Sequence, residues 1–318
     1  MKTLNYFLAL TLILGMTLLG CKKDKTNDSS IAGSDVAISQ DAESQDAVAD
    51  NVDQMADNQV DFAEANLFDI NKQKSASASG YWTCTHPGDT ITFPKIITIT
   101  FGDTTINGEN LKYTGTIIVR DSLSNGTGSW KNRVIRKIIF SNFTIASDSS
   151  SISVSGTRTV TRTSIKISPP LTANITSFRM EVTDAITANL TFTITCGDFT
   201  KSFTRNVDRT RKAMAHFEKG LSWRQVYLSD TITLNGTVNG RNLQDSTYSR
   251  VITAPITITR CPFLYPVISS GTMTLTNGVK VATLTYSSDV CKTKVTITKG
   301  DKTREIIRRI NRKYHKWW

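Results

Sequence analysis

Alternation of apolar side chains with threonine is the feature that most limits what this chain can fold into. Between Ile91 and Phe101, the apolar residues Ile91, Phe93, Ile97, Ile99 and Phe101 alternate with Thr92, Thr98 and Thr100. Leu190, Phe192, Ile194 and Cys196 do the same with Thr191, Thr193 and Thr195. Met273 and Leu275, then Ala282, Leu284 and Tyr286, repeat the pattern on either side of Asn277-Gly278, a hairpin-turn dipeptide. A period of two puts the apolar set on one face of a strand and threonine, whose branched Cβ suits the pleat, on the other. Sheets built this way are half buried and half wet, which is the antiparallel pattern. Helical periodicity is nearly absent from the body. The expected fold class is all-β, with mostly antiparallel, β-sandwich-like sheets in preference to a closed barrel. The β-rich body spans residues 81–318, as one large domain or two small ones divided near residue 210. Gly115-Thr116, Gly156-Thr157, Gly236-Thr237 and Gly271-Thr272 recur at the expected strand beginnings and read as shared turn chemistry.

The start of the chain has a different composition. Met1-Lys2 is followed by an apolar run from Tyr6 to Gly20, too short for a bilayer core, which takes roughly 20 residues. It fits the apolar region of a signal peptide, residues 1–20. The run ends in Leu18-Leu19-Gly20-Cys21, a lipobox: a small residue before the cut and a thiol after it, so that Cys21 is the expected lipidation site. More than one acyl chain on that thiol gives stable anchoring, at ~0.8 kcal/mol per buried methylene. Lys22 stands where an inner-membrane retention signal has Asp, so the expected address is the outer membrane, with periplasmic or surface facing left open. Residues 21–80 form an acidic stalk or linker. Ser34 to Ile70 carries ten acidic residues and no Lys or Arg, whereas Asn71 to Trp318 carries 34 basic and 15 acidic residues. Such an acidic stretch is solvated and in part disordered, and Val48, Val52, Met55 and Phe62 give part of it helical spacing. Its expected role is reach from the membrane; electrostatic docking onto the basic body is the alternative.

Four cysteines remain once Cys21 is acylated: Cys84, Cys196, Cys261 and Cys291. In an oxidising compartment they suggest disulfides, with three connectivities open and buried free thiols as the alternative. Cys261 and Cys291 flank the Asn277-Gly278 hairpin, and closing that loop would stabilise the fold by about 3–4 kcal/mol in the chain-entropy model. Cys84 with Cys196 then follows by elimination.

Chemistry is sparse. The three histidines, His86, His216 and His315, form no metal-spaced cluster, and there is no nucleophile elbow, phosphate-cradling glycine loop or His-Glu-x-x-His. No catalytic residue, metal or cofactor is assigned. Basic residues cluster at Lys131, Arg133, Arg136 and Lys137, and again at Arg205, Arg209, Arg211 and Lys212. They suit an anionic glycan or lipopolysaccharide, against the plainer reading of a solvated basic face. Nucleic acid is disfavoured, because no recognised binding module accompanies the charge. Tyr81, Trp82, Trp130, Trp223, Trp317 and Trp318 are the aromatics available for a glycan platform. At the C-terminus, Ile306, Ile310, Tyr314 and Trp317 allow a basic amphipathic helix, but a last strand through about Ile310 is the preferred reading.

Cys21-Lys22-Lys23-Asp24-Lys25 resembles the start of many Bacteroidota lipoproteins, and the body is similar to a group of their cell-envelope lipoproteins. Three stretches carry the likeness: Phe93 to Gly102, Gly115 to Val119, and Cys261-Pro262 through Ser270-Gly271-Thr272 to Cys291. Asp89-Thr90-Ile91, Asp103-Thr104-Thr105, Asp121-Ser122-Leu123, Asp230-Thr231-Ile232 and Asp245-Ser246-Thr247 also resemble the O-glycosylation acceptor of exported proteins in that phylum. The resemblance implies address and fold and brings no activity. The expected function is that of a membrane-anchored, non-catalytic structural or binding module of the cell envelope. A glycan- or anionic-surface-binding accessory lipoprotein is the first alternative, and an envelope hydrolase the second.

Overall fold

The computed structural model describes residues 81–84, 94–105, 112–123, 134–169, 177–218, 231–260, 266–289 and 292–308. Cys21, the acidic stalk, Cys261, Cys291, Lys131, Arg133, Trp130, Trp223, Trp317 and Trp318 lie outside them. Among the described residues the protein is all-β and antiparallel. Twelve strands run as one meander: β2 (Lys95–Thr105), β3 (Lys112–Leu123), β4 (Val134–Ala146), β5 (Ser150–Ser168), β6 (Ser177–Cys196), β7 (Phe199–Glu218), β8 (Thr231–Arg241), β9 (Thr247–Arg260), β10 (Pro266–Asn277), β11 (Lys280–Asp289), β12 (Lys292–Lys299) and β13 (Lys302–Arg308). A short strand β1 (Tyr81–Cys84) adds to the edge of β2. Every strand pairs with its neighbours in sequence, and the sheet is not closed, because β1 and β13 do not meet.

This differs from the expected sandwich. A sandwich needs connections that carry the chain from one sheet to another. Here each described turn is tight enough to return the chain to the strand it has just left. Gly197, Gly278 and Gly300 each stand first in a two-residue turn, with φ of 56°, 57° and 55°. That sign at that position belongs to the primed turns whose twist matches the strands. In the Asn277-Gly278 hairpin it is Gly278 and Val279 that make the bend, with Asn277 opposite Lys280 as the last pair. The loop from β8 to β9 is closed by Asn242, whose Oδ1 accepts from the backbone N–H of Gln244 (3.0 Å) and of Ser246 (2.9 Å). The C-terminal alternative resolves as strand to Arg308.

The four Gly-Thr pairs are not at strand beginnings. Each glycine lies inside a strand, at or beside a register shift: Gly115 in β3, Gly156 in β5, Gly236 in β8 and Gly271 in β10. At Gly156 the backbone has φ of 128°, and a Cβ there would overlap the carbonyl oxygen of Asn189 on β6. At Gly236 it would overlap the carbonyl oxygen of Asp208 on β7. Bulges of this kind bend and twist a strand locally. Their repetition across the sheet lets a single meander curve enough to bury one of its faces.

That face holds two packed clusters. The first joins β2 to β7: Ile97 and Ile99 with Ile117, Val119, Ile138, Ile145, Ile152, Val154, Leu190, Phe192 and Phe203. Its aromatic part is Phe101, Tyr113, Phe140 and Phe143, with the Phe101 and Phe143 rings 5.3 Å apart across β3. Gly115, opposite Phe101, has no side chain to stand between them. The second cluster joins β9 to β12 through Ile256, Met273, Leu275, Leu284, Tyr286, Val295 and Ile297. The sheet itself runs unbroken through residue 210, which lies in β7 between β6 and β8.

Candidate functional site

Register decides where the charged side chains go. On β5 the apolar phase of the alternation reads Ile152, Val154, Gly156, Arg158, Val160, Arg162, so arginine takes the place of aliphatic residues halfway along the strand. β7 does the same with Phe203, Arg205, Val207, Arg209 and Arg211. Cross-strand pairing then lines these residues up on the face that holds the cores. Arg158, Ala188, Val207, Val238 and Arg250 form one row across β5 to β9. Above it Leu190 pairs with Arg205 and Gly240 with Tyr248, and Arg136, Val160, Ile186, Arg209 and Gly236 form the row below. The next row is Arg162, Asp184 and Arg211. Rows follow one another at roughly 7 Å, two residues along a strand. The result is a belt of seven arginines between the two cores, with Asp121 and Asp184 as its acids among the described residues.

Two aspartates organise the belt. Asp121 on β3 receives Arg136 in a two-pronged pair, Nε to Oδ1 at 2.9 Å and Nη2 to Oδ2 at 2.8 Å. Asp184, 1% exposed, accepts from Arg162 Nε at 3.2 Å and from Arg211 Nη2 at 2.7 Å, one oxygen to each. A buried carboxylate is costly unless paired and hydrogen-bonded; two guanidinium groups on the flanking strands supply both. Arg162 and Arg211 keep 37% and 35% of their side-chain surface exposed, so the row is partly open to solvent.

Arg205 and Arg250 are each 3% exposed. Gly240 on β8 packs against β7, and a Cβ there would overlap the Thr204 carbonyl. The bare strand lets Tyr248 reach across from β9, its hydroxyl donating to that carbonyl at 3.1 Å. The Arg250 guanidinium sits 4.9 Å from the centre of the Tyr248 ring, a cation–π contact that holds the charge against an aromatic face.

The two basic clusters seen in the sequence are therefore divided by strand geometry. Arg136, Arg205, Arg209 and Arg211 belong to the belt. Lys137 and Lys212 point to the opposite, threonine-rich face, where Lys212 Nζ pairs with Glu181 Oε2 at 2.8 Å. Arg158, Arg162, Arg250 and Asp184 join the belt although nothing near them in sequence marks a cluster.

Cys84 on β1 and Cys196 at the end of β6 have four strands between them, and among the described residues no disulfide is formed. Of the acceptor-like triplets, Asp121-Ser122-Leu123 lies in β3 with its aspartate buried against Arg136, while Asp245-Ser246-Thr247 is exposed where the loop from β8 enters β9. Among the described residues no three His, Cys, Asp or Glu side chains gather as metal ligands would. No protein-family model, no curated protein and no solved structure matches this chain.

Proposed function

We propose that this chain is an outer-membrane lipoprotein, anchored through Cys21, whose sheet is a non-catalytic module that binds an anionic ligand of the envelope. The observation that carries the binding part is the arginine belt. A sheet that only had to be stable would fill the apolar phase of β5, β7 and β9 with Val or Ile, because burying a guanidinium costs more than burying an aliphatic group of similar size. Arginine instead repeats there across four rows, in the fork geometry that suits phosphate, sulfate and carboxylate groups. The lipobox and the acidic stretch supply the anchor and the reach; the belt supplies the contact. An anionic glycan or lipopolysaccharide is the ligand class this favours.

Both halves have a direct test. Cells fed an alkyne-bearing fatty acid should yield labelled protein from the native gene and none from Cys21→Ala. Label persisting on the Ala variant would rule out Cys21 as the anchor. The purified body should be retained on a sulfated polysaccharide matrix and released as salt rises. Flow-through at low ionic strength would end the binding proposal.

A further inference from the structure

Beyond the belt the same face changes character. β4 stops pairing with β5 at Ile135 opposite Thr161, and among the described residues no strand pairs with that edge of β5 from Arg162 onward. Past the Arg162, Asp184, Arg211 row the face continues as Ile165, Val182 and Ala213, and then as Ile167 and Met180. These side chains are half-buried, and neither packed cluster includes them. An apolar stripe thus lies one to two rows, roughly 7–14 Å, from a pair of arginine side chains that are each about a third exposed, on one continuous surface. Arg162 spends its Nε and Arg211 its Nη2 on Asp184, and Arg211 Nε is buried with no hydrogen-bond partner. The carboxylate fixes both forks in place while each keeps further N–H groups for an anion.

We propose that this surface takes a phosphorylated lipid, its phosphate between Arg162 and Arg211 and its first methylenes along Ile165, Val182 and Met180. The inference rests on the belt being a binding face and names the class of ligand at one end of it. A free phosphate would use only the guanidinium groups, and a polar glycan would leave the stripe wet. An anionic amphiphile satisfies both parts, gaining ~0.8 kcal/mol for each methylene removed from water. Lys166 and Lys212, on the reverse face around Glu181, cannot serve the same headgroup.

The experiment uses the full chain carrying Cys21→Ser, which has no acyl group of its own. It is titrated calorimetrically with lysophosphatidylglycerol below its micelle concentration, with the monoacylglycerol of the same chain length, and with inorganic phosphate. Lysophosphatidylglycerol should bind at least about tenfold tighter than either of the others, the effect of one charge-assisted contact or about two methylenes. Arg162→Gln with Arg211→Gln should remove that advantage over the neutral lipid. Ile165→Ser with Val182→Ser, which leaves the ion pairs intact, should weaken lysophosphatidylglycerol by about tenfold and leave phosphate unchanged. Equal affinity for phosphate and lysolipid overturns the proposal, as does equal affinity for the two lipids or binding of neither. In each of those cases retention on the polysaccharide matrix still reports separately on the wider reading.

Discussion

Asp184 is where the structure makes its sharpest energetic statement. Replacing it by Asn keeps the shape and one acceptor oxygen but removes the charge that Arg162 and Arg211 share. At an effective dielectric of about 20, each contact is worth about 4 kcal/mol of gross attraction. Most of that offsets the desolvation of a carboxylate that is 1% exposed. Breaking a fully buried pair costs about 3–5 kcal/mol, whereas a solvated pair contributes about 0–1 kcal/mol. With both guanidinium groups about a third exposed, the net loss falls between, at about 2–3 kcal/mol. For a domain of this size that lowers Tm by roughly 4–12 °C. Thermal unfolding followed by far-ultraviolet circular dichroism measures it, and a double-mutant cycle with Arg162→Gln should return a coupling of about 1 kcal/mol. A variant that melts within a degree of the parent, with no coupling, would refute the claim that Asp184 organises the belt.

Three further outcomes follow from particular contacts. Gly156→Ala should destabilise by about 2–4 kcal/mol, from left-handed strain and overlap with the Asn189 carbonyl; a denaturant midpoint equal to the parent's contradicts the bulge. Phe143→Ala, at a position 1% exposed among Phe101, Tyr113 and Phe140, should cost about 3–5 kcal/mol in urea unfolding. Tyr248→Phe removes the hydroxyl that satisfies the Thr204 carbonyl and should cost about 1 kcal/mol. The ring over Arg250 remains in that variant, so a loss as large as that of Tyr248→Ala would place the effect elsewhere.

Strand identity was legible because threonine and aliphatic residues alternate over long stretches, and a period of two has one structural meaning. The Asn277-Gly278 hairpin was legible for the same reason, its turn chemistry being local. Layering was not. Whether strands stack as two sheets or run on as one depends on connections and curvature, and the glycines that supply the curvature look identical in sequence to turn glycines. In the fold, Gly156 lies inside a strand against the Asn189 carbonyl, whereas Gly278 lies in a turn with open space around it. The belt was half visible. Arg205, Arg209 and Arg211 are near neighbours in sequence and read as a cluster, but Lys212 beside them has the parity that sends it to the other face. Arg158 and Arg162 carry a signal of their own, because they occupy the apolar phase of their strand. Asp184 and Arg250 are joined to them only by register, which no single strand reveals.

The seven belt arginines lie on the face that holds the cores, whereas Lys137 and Lys212 lie on the reverse. Comparing two double variants on the same polyanionic matrix tests this arrangement most directly. Arg209→Gln with Arg211→Gln should elute at markedly lower salt than the parent, and Lys137→Gln with Lys212→Gln, which removes the same formal charge, should elute close to it. The opposite order would show that ligand meets the threonine face and that the belt is internal structure alone.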